Sequence, residues 1–478
     1  MKIVYGRTVL TLDADRRVLD DAAVAVEGDR IVAVGPRADV DARFPDPQER
    51  LGGDGFAVLP GLIDAHGHAG HSLVKTLGVD RPDVWMDVIT PFYFRSTTAE
   101  FWYVDALVSA LDRLANGVTT SMSVMGSRPR ADSPEWAAAH ARGYAEIGVA
   151  DILGLGPSGT PLPHPGAVLS DEGTWRETSS SLQDMLDVTE DAIGSLDRTR
   201  GGLTRVFVTP FTIVPSLYPS GPSTPHAAVA LTAADREHGA GVLELARRTG
   251  TRIHSDAFAG HVRLAMQDPD TAILGPQVHL QHGVGLDTDE IVQLAATGTA
   301  FAHAPGGAVD VPLMLSLGVV VAATTDGSAP QRPFDLLLAA RGVRDAHVTR
   351  TRDPYLLPPG KLLEMITIDA ARAVGMADEI GSLEAGKRAD LVLLDLAQPH
   401  LTPWWMPVHR VMMQAGGRDV HTVLVAGEVL LRDGRPTRLD PAPVLADAER
   451  IAVEHVTRAG LLDHLGEPGW GQVRRVFA

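Results

Sequence analysis

Phe56-Ala-Val-Leu-Pro-Gly-Leu-Ile-Asp-Ala-His-Gly-His68 is the stretch of this 478-residue chain from which the fold is read. The run from Phe56 to Ile63 is apolar but broken by Pro60 and Gly61, the pattern of a buried strand that leaves one sheet and enters another. His66 and His68 then follow two residues apart. Residues i and i+2 of an extended strand point to one face, so both rings can reach a single point beyond the strand's end. Neutral imidazole is the commonest metal ligand. A His pair that finishes a strand in solvent is the competing reading, and the rest of the chain must decide.

Downstream of this stretch, helical periodicity alternates with short apolar runs. Phe101 to Asn116 reads as a helix that stops at Gly117, and Val118-Thr-Thr-Ser-Met-Ser-Val as the strand after it. The same alternation gives strands at Ala150 to Leu153, Val206 to Thr209, Thr251 to His254, Gln277 to His282, Gly298 to His303 and Val319 to Asp326. With the strand at Ile63 this makes eight βα units, which predicts an α/β fold of the (β/α)8 barrel type. The Pro/Gly/Ser-rich stretch 154–176 and the Pro/Ser run 215–225 read as insertions in loops.

Upstream, 1–56 reads as short strands with turn signals, too thin to bury a core of its own. Strand character returns at Ala389 to Leu394, Val420 to Val425 and Glu428 to Leu431. The expected organisation is a β-sandwich built from 1–56 and 381–440, flanking a barrel over 57–380, with a helical tail over 441–478.

Composition narrows the function. Forty-two basic against 60 acidic residues give a net charge of −18, which argues against a nucleic-acid or anionic-membrane partner. No apolar run approaches the ~18 residues of a membrane helix. Met1 to Leu12 alternates like a strand and lacks the apolar core of a secretory signal, so a cytoplasmic enzyme with a small-molecule substrate is expected, as a homo-oligomer, a dimer. Cysteine is absent, which leaves His and carboxylate as metal ligands. Lysine occurs only at 2, 75, 361 and 387.

Catalytic groups of a (β/α)8 barrel gather at the C-terminal ends of the strands. Polar residues fall there: His66 and His68 after the first strand, then His254, His282, His303 and Asp326 after the fifth to eighth. Imidazoles and a carboxylate from separate strands can surround one divalent ion, zinc or iron(II), and leave a position for water. Such a water ionises at a pH of about 7.

At this point the sequence resembles the amidohydrolase superfamily, and within it the branch of aminated-heterocycle deaminases and triazine hydrolases. The matching runs are Pro60 to His68, Asn116-Gly-Val-Thr-Thr120, Thr324-Thr-Asp-Gly327 and Ile380-Gly-Ser-Leu-Glu-Ala-Gly-Lys-Arg-Ala-Asp-Leu-Val392. The resemblance implies His66, His68, His254 and Asp326 as metal ligands. It also implies His282 as the imidazole that orients water or substrate, and Asp326 as the group that takes the water's proton. Members with two metals commonly bridge them with a carboxylated lysine at the end of the fourth strand. Val206 to Pro210 holds none, so a single ion is expected, zinc first and iron(II) second.

Two departures bear on the substrate. Deaminases of this branch usually carry a glutamate three residues after the fifth-strand histidine, where this chain has Ala257. The run His303-Ala-Pro-Gly-Gly-Ala308 also differs from the polar loop of relatives. If the fifth strand stays extended, Asp256 shares the face of His254 and becomes the replacement acid. If the chain turns at Ser255, Asp256 only caps the next segment. His71, His303 and Trp85 are the expected substrate-side residues. The expected reaction is hydrolytic displacement of an amine, or another leaving group, from a nitrogen heterocycle. Hydrolysis of a cyclic or linear amide is the alternative, and a metal-free binding relative the remote one.

Overall fold

Four strands, β1 (Lys2–Leu10), β2 (Val18–Glu27), β3 (Arg30–Pro36) and β4 (Glu49–Pro60), precede the barrel in the computed structural model. It describes residues 1–79, 81, 84–169, 174–220, 230–466 and 470–471. The apolar run beginning at Phe56 is the second half of β4. The Pro60-Gly61 break then hands the chain to the barrel, because Gly61 N donates to Asp390 O on one side and Leu62 N to Gly117 O on the other.

The barrel starts with β5 (Leu62–Asp64) and the short β6 (His68–Ala69). It continues through β7 (Val118–Met125), β8 (Ala150–Leu155), a lateral hairpin of β9 (His164–Leu169) and β10 (Trp175–Ser180), and β11 (Thr204–Val208). It ends with β12 (Ile253–Phe258), β13 (Val278–Val284), β14 (Ala300–His303) and β15 (Val321–Ala323). The order β15-β14-β13-β12-β11-β8-β7-β5 is parallel at every step, with β6 beside β7. Asp326 N donates to His66 O at 3.2 Å across the remaining gap, which nearly closes the cylinder. Inward positions carry Ile63, Met122, Val124, Ile152, Phe207, Ala300, Ala302 and Ala322, and Ala370, Ala371, Ala373 and Val374 plug the lower end. Alanines on β14 and β15 leave the upper interior to the polar residues of β12 and β13.

Stretch 154–176, expected as an irregular loop, contains β9 and the start of β10, paired in antiparallel register from Trp175–Leu169 to Ser180–His164. Alternation in Trp175-Arg-Glu-Thr-Ser-Ser is mostly polar, so it carried no hydrophobic signal. Residues 170–173 within this stretch, and 221–225 of the 215–225 run, lie outside the described residues.

The terminal segments join. After β16 (Leu391–Asp395), β17 (Val420–Val425), β18 (Glu428–Arg432) and β19 (Arg435–Pro436), one sheet of order β19-β18-β17-β16-β4-β1-β2-β3 is complete, and only β1 and β4 run parallel. The expected sandwich is this single sheet folded over itself. Ala389 N reaches Asp29 O at 2.8 Å, and Val24, Leu51, Val58, Leu391, Leu393 and Leu424 share one core. The opposite face, including Leu59, Val392 and Val423, joins the core of the barrel's helices. The tail is the helix Pro441–Arg458 and a 3-10 turn at Leu461–His464. Deleting residues 1–50 removes β1 to β3 and strips one side of Leu391 to Leu394. An insoluble product in expression trials is the expected result, and a soluble, fully active truncation would disprove the dependence.

Candidate active site

Strand parity decides which polar residues enter the barrel. On β12, Ile253 and Ala257 pack outward in the core shared with the helices, so His254 and Asp256 face inward. Register pairs Asp256 with Gln281 and Ala257 with His282, which keeps β12 extended through Phe258. Of the two sequence alternatives for Asp256, the extended one holds. On β14, Ala300 and Ala302 face the interior, and His303 therefore points out. It is buried against His347 of the helix Leu336–Thr351, with ring centroids 5.6 Å apart, and is absent from the cavity wall.

The two residues that turn the chain at the mouth are held in the left-handed region, His282 at φ 67° and Asp326 at φ 64°. That conformation costs a non-glycine residue on the order of 1–3 kcal/mol and is found where a site over-determines it. Asp64 supplies part of the restraint: its carboxylate accepts from Thr325 N at 3.1 Å and Thr325 Oγ1 at 2.5 Å, immediately before Asp326. Arg113, buried beneath, lies 3.8 Å from Asp64 Oδ2 and over the Phe334 ring. A Cβ on Gly327 would overlap the His71 ring, so this position admits only glycine without displacing His71.

Second partners fix the imidazoles. His68 Nδ1 donates to Gly126 O at 2.6 Å and His254 Nδ1 to His279 O at 3.1 Å, which turns the Nε2 of each ring toward the site. His66 Nδ1 lies 2.8 Å from His254 Nε2 and must donate to it, so His66 Nε2 is bare. That buried atom has no hydrogen-bond partner among the described residues. Asp326 Oδ1 stands 3.3 Å from His66 Nε2 and 3.2 Å from His68 Nε2. Two ring nitrogens whose partner nitrogens are engaged elsewhere thus converge on one carboxylate oxygen, an arrangement that suits a cation.

Charge states agree. Burial lowers His66 to about 4, against the pull of Asp326, and holds His254 well below the usual histidine range. Burial would raise Asp326, but Arg332 beside it keeps the carboxyl well below its ordinary value. The donor set fits a divalent ion with nitrogen and oxygen ligands.

His66, His68 and Asp326 form one close group, and His66, His254 and Asp256 a second that shares His66. The four expected ligands therefore meet at His66 rather than lying equidistant from one point. Asp256 Oδ2 lies 3.4 Å from His282 Nε2. Burial would lower His282, but the Asp256 carboxylate raises it to about 9, and His282 in turn lowers Asp256.

Above these groups opens a cavity of about 360 Å³ lined by His71, Trp85, Arg128, Phe211, Phe258 and Arg332, among others. His71 stacks on His68 with centroids 4.6 Å apart, and Phe258 on His282 at 5.6 Å. Trp85 sits in a short π-helical turn, Trp85–Ile89. Phe258, Phe211, Arg128 and Arg332 escaped the sequence reading. Phe258 had a signal, since it lies two residues beyond Asp256 on the same face; the others lie on loops, where no periodicity marks them.

Residues 235–430 match the model of the amidohydrolase family, and residues 22–46 that of an imidazolonepropionase-like composite domain of bacteria. The chain is 30% identical over 464 residues to a 5-methylthioadenosine/S-adenosylhomocysteine deaminase of Syntrophobacter fumaroxidans, covering 94% of this chain and 97% of that relative. Among solved structures it resembles an adenosine deaminase from Xanthomonas campestris with bound zinc. The TM-score is 0.79 at 22% identity, over 95% of this chain and 98% of the other. It also resembles an atrazine chlorohydrolase from Arthrobacter aurescens complexed with zinc, with a TM-score of 0.74 at 20% identity over 95% and 100% of the two chains.

Proposed function

This chain belongs to the amidohydrolase family, and from that premise we propose that it is a metal-dependent hydrolase that displaces an amine from an amino-substituted nitrogen heterocycle. One observation carries the reading: the Nε2 atoms of His66 and His68 converge on Asp326 Oδ1 at the floor of a cavity with aromatic walls. Its deaminase relative supports the leaving group.

In this proposal His66, His68, His254 and Asp326 hold one divalent ion, which would take the place of His66 Nδ1–H at the His254 Nε2 lone pair. Zinc is the first choice, supported by the zinc in the Xanthomonas and Arthrobacter structures, and the count of one by the lack of lysine on β11. When bound, the ion supplies Lewis-acid chemistry and makes hydroxide available near neutrality. The chain's own groups do the rest. Asp326 accepts the proton of the attacking water. His282, on the cavity wall, is kept protonated by Asp256 Oδ2 beside its Nε2, and as an imidazolium it gives a proton to the departing nitrogen. Trp85, Phe211 and Phe258 exclude water and pack against a flat ring. No helix among the described residues is long and apolar enough to cross a membrane.

A second reading, hydrolysis of a cyclic or linear amide, is favoured by Ala257, which faces away from the cavity and leaves no acid three residues after His254. Elemental analysis should find about one divalent ion per chain. Ammonia should be released from at least one member of a panel of purines, pyrimidines, pterins and triazines. Two tightly held ions would overturn the mononuclear site. Hydrolysis of lactams with no ammonia from the panel would move the assignment to the second reading.

A further inference from the structure

Arg332 is the least expected residue of the cavity. It follows Asp326 by six positions, lies on the wall, and its guanidinium donates to Asp326 Oδ2 while its side chain keeps 37% of its surface exposed. Asp326 Oδ1 is turned the other way, toward His66 and His68, and also accepts from Gly327 N at 2.7 Å. The carboxylate is thereby divided, one oxygen for the histidines and one for Arg332. A guanidinium has five N–H donors in a planar fork. No second side-chain hydrogen bond of Arg332 is found among the described residues, and the side chain lines the cavity.

Charge points the same way. Among the described residues the wall holds two guanidiniums, Arg128 and Arg332, and two carboxylates, Asp256 and Asp326. Both carboxylates already have work in the reaction proposed above, whereas Arg332 has none. A substrate-facing cation in a chain of net charge −18 is not a by-product of composition. Arg128 is engaged elsewhere, over the Phe211 ring at 4.8 Å and donating to Thr160 O at 3.3 Å.

We propose that Arg332 is a specificity residue that receives an anionic oxygen of the substrate, a ring carboxylate or ionised ring-oxo group next to the reacting carbon. The inference rests on the heterocycle reading and names its substrate class. The fork bridges Asp326 Oδ2 and the substrate oxygen, so the anion is read beside the carboxylate that takes the water's proton. Anion binding here orients the ring, because a planar fork fixes both distance and plane.

The test compares orotate with uracil, the same ring with and without a carboxylate, by isothermal titration. Wild type, Arg332→Gln, Arg332→Lys and Arg128→Gln are each measured in zinc-loaded and metal-stripped form, with zinc content and far-UV circular dichroism as checks. Wild type should bind orotate about 10- to 100-fold more tightly than uracil, the effect of a hydrogen-bonded charge, in both forms. Arg332→Gln should abolish the preference, Arg332→Lys should restore part of it, and Arg128→Gln should keep it. Should Arg332→Gln fail to fold, a Lys variant that retains the charge but weakens the preference supports the proposal, and one that matches wild type overturns it. No preference in wild type, a preference unchanged in Arg332→Gln, or one confined to the zinc-loaded form also overturns it. Because binding needs no turnover, failure of the ammonia assay leaves this result readable.

Discussion

His66→Ala is expected to lose the metal more completely than any other single substitution at the site. His66 is the residue that both close groups share: its Nε2 faces Asp326 Oδ1 at 3.3 Å and its Nδ1 touches His254 Nε2 at 2.8 Å. Replacing it removes one ligand and the ring that packs against a second, His254, with centroids 4.9 Å apart. Loss of a residue that only supports a ligand costs about 10- to 100-fold in metal affinity, so loss of the shared ligand should exceed about 100-fold. His68→Ala removes one bare nitrogen and leaves the group of His66, His254 and Asp256 intact, so its loss should be smaller. Competition with a chromophoric chelator gives both affinities. A His66→Ala protein that keeps zinc as well as His68→Ala does would refute the central place of His66. Hydrolysis by His66→Ala should fall below detection at metal concentrations that saturate the native protein.

Asp256→Asn is expected to retain the metal and lose turnover. The substitution preserves size and leaves a hydrogen-bonding amide 3.4 Å from His282 Nε2, but removes the charge that stabilises the proton there. Proton delivery in the transition state contributes about 10² to 10⁴ in rate, and a fall in kcat of that size is the predicted outcome, with KM changed much less. His282→Asn should give a similar fall, and the double variant should be little worse than either, because groups that act as a unit are not additive. Near-normal kcat in Asp256→Asn would exclude the pair and leave Asp326 as the sole proton carrier. A drop in zinc content in the same variant would instead make Asp256 a ligand, through its group with His66 and His254.

The sequence by itself determined the eight barrel strands, the pairing of its two terminal segments into one β unit, and the residues at the strand ends. These features are local: hydrophobic periodicity marks each strand, and a strand's end marks the residue that can reach the site. The same logic found His66, His68, His254, His282 and Asp326. Tertiary structure alone decided which face each residue takes. His303 ends its strand, where the sequence also placed the end of the strand carrying His254, yet β14 enters the barrel with Ala302 inward, which turns His303 against His347. Asp256 was balanced between cap and site until pairing with β13 held β12 extended past it. Parity is fixed by where a strand joins the sheet, and a single strand's sequence does not encode that. Arg332 lies further from legibility, since its place beside Asp326 depends on a loop that leaves the barrel through a left-handed residue and folds back on it, and such a path has no period to read.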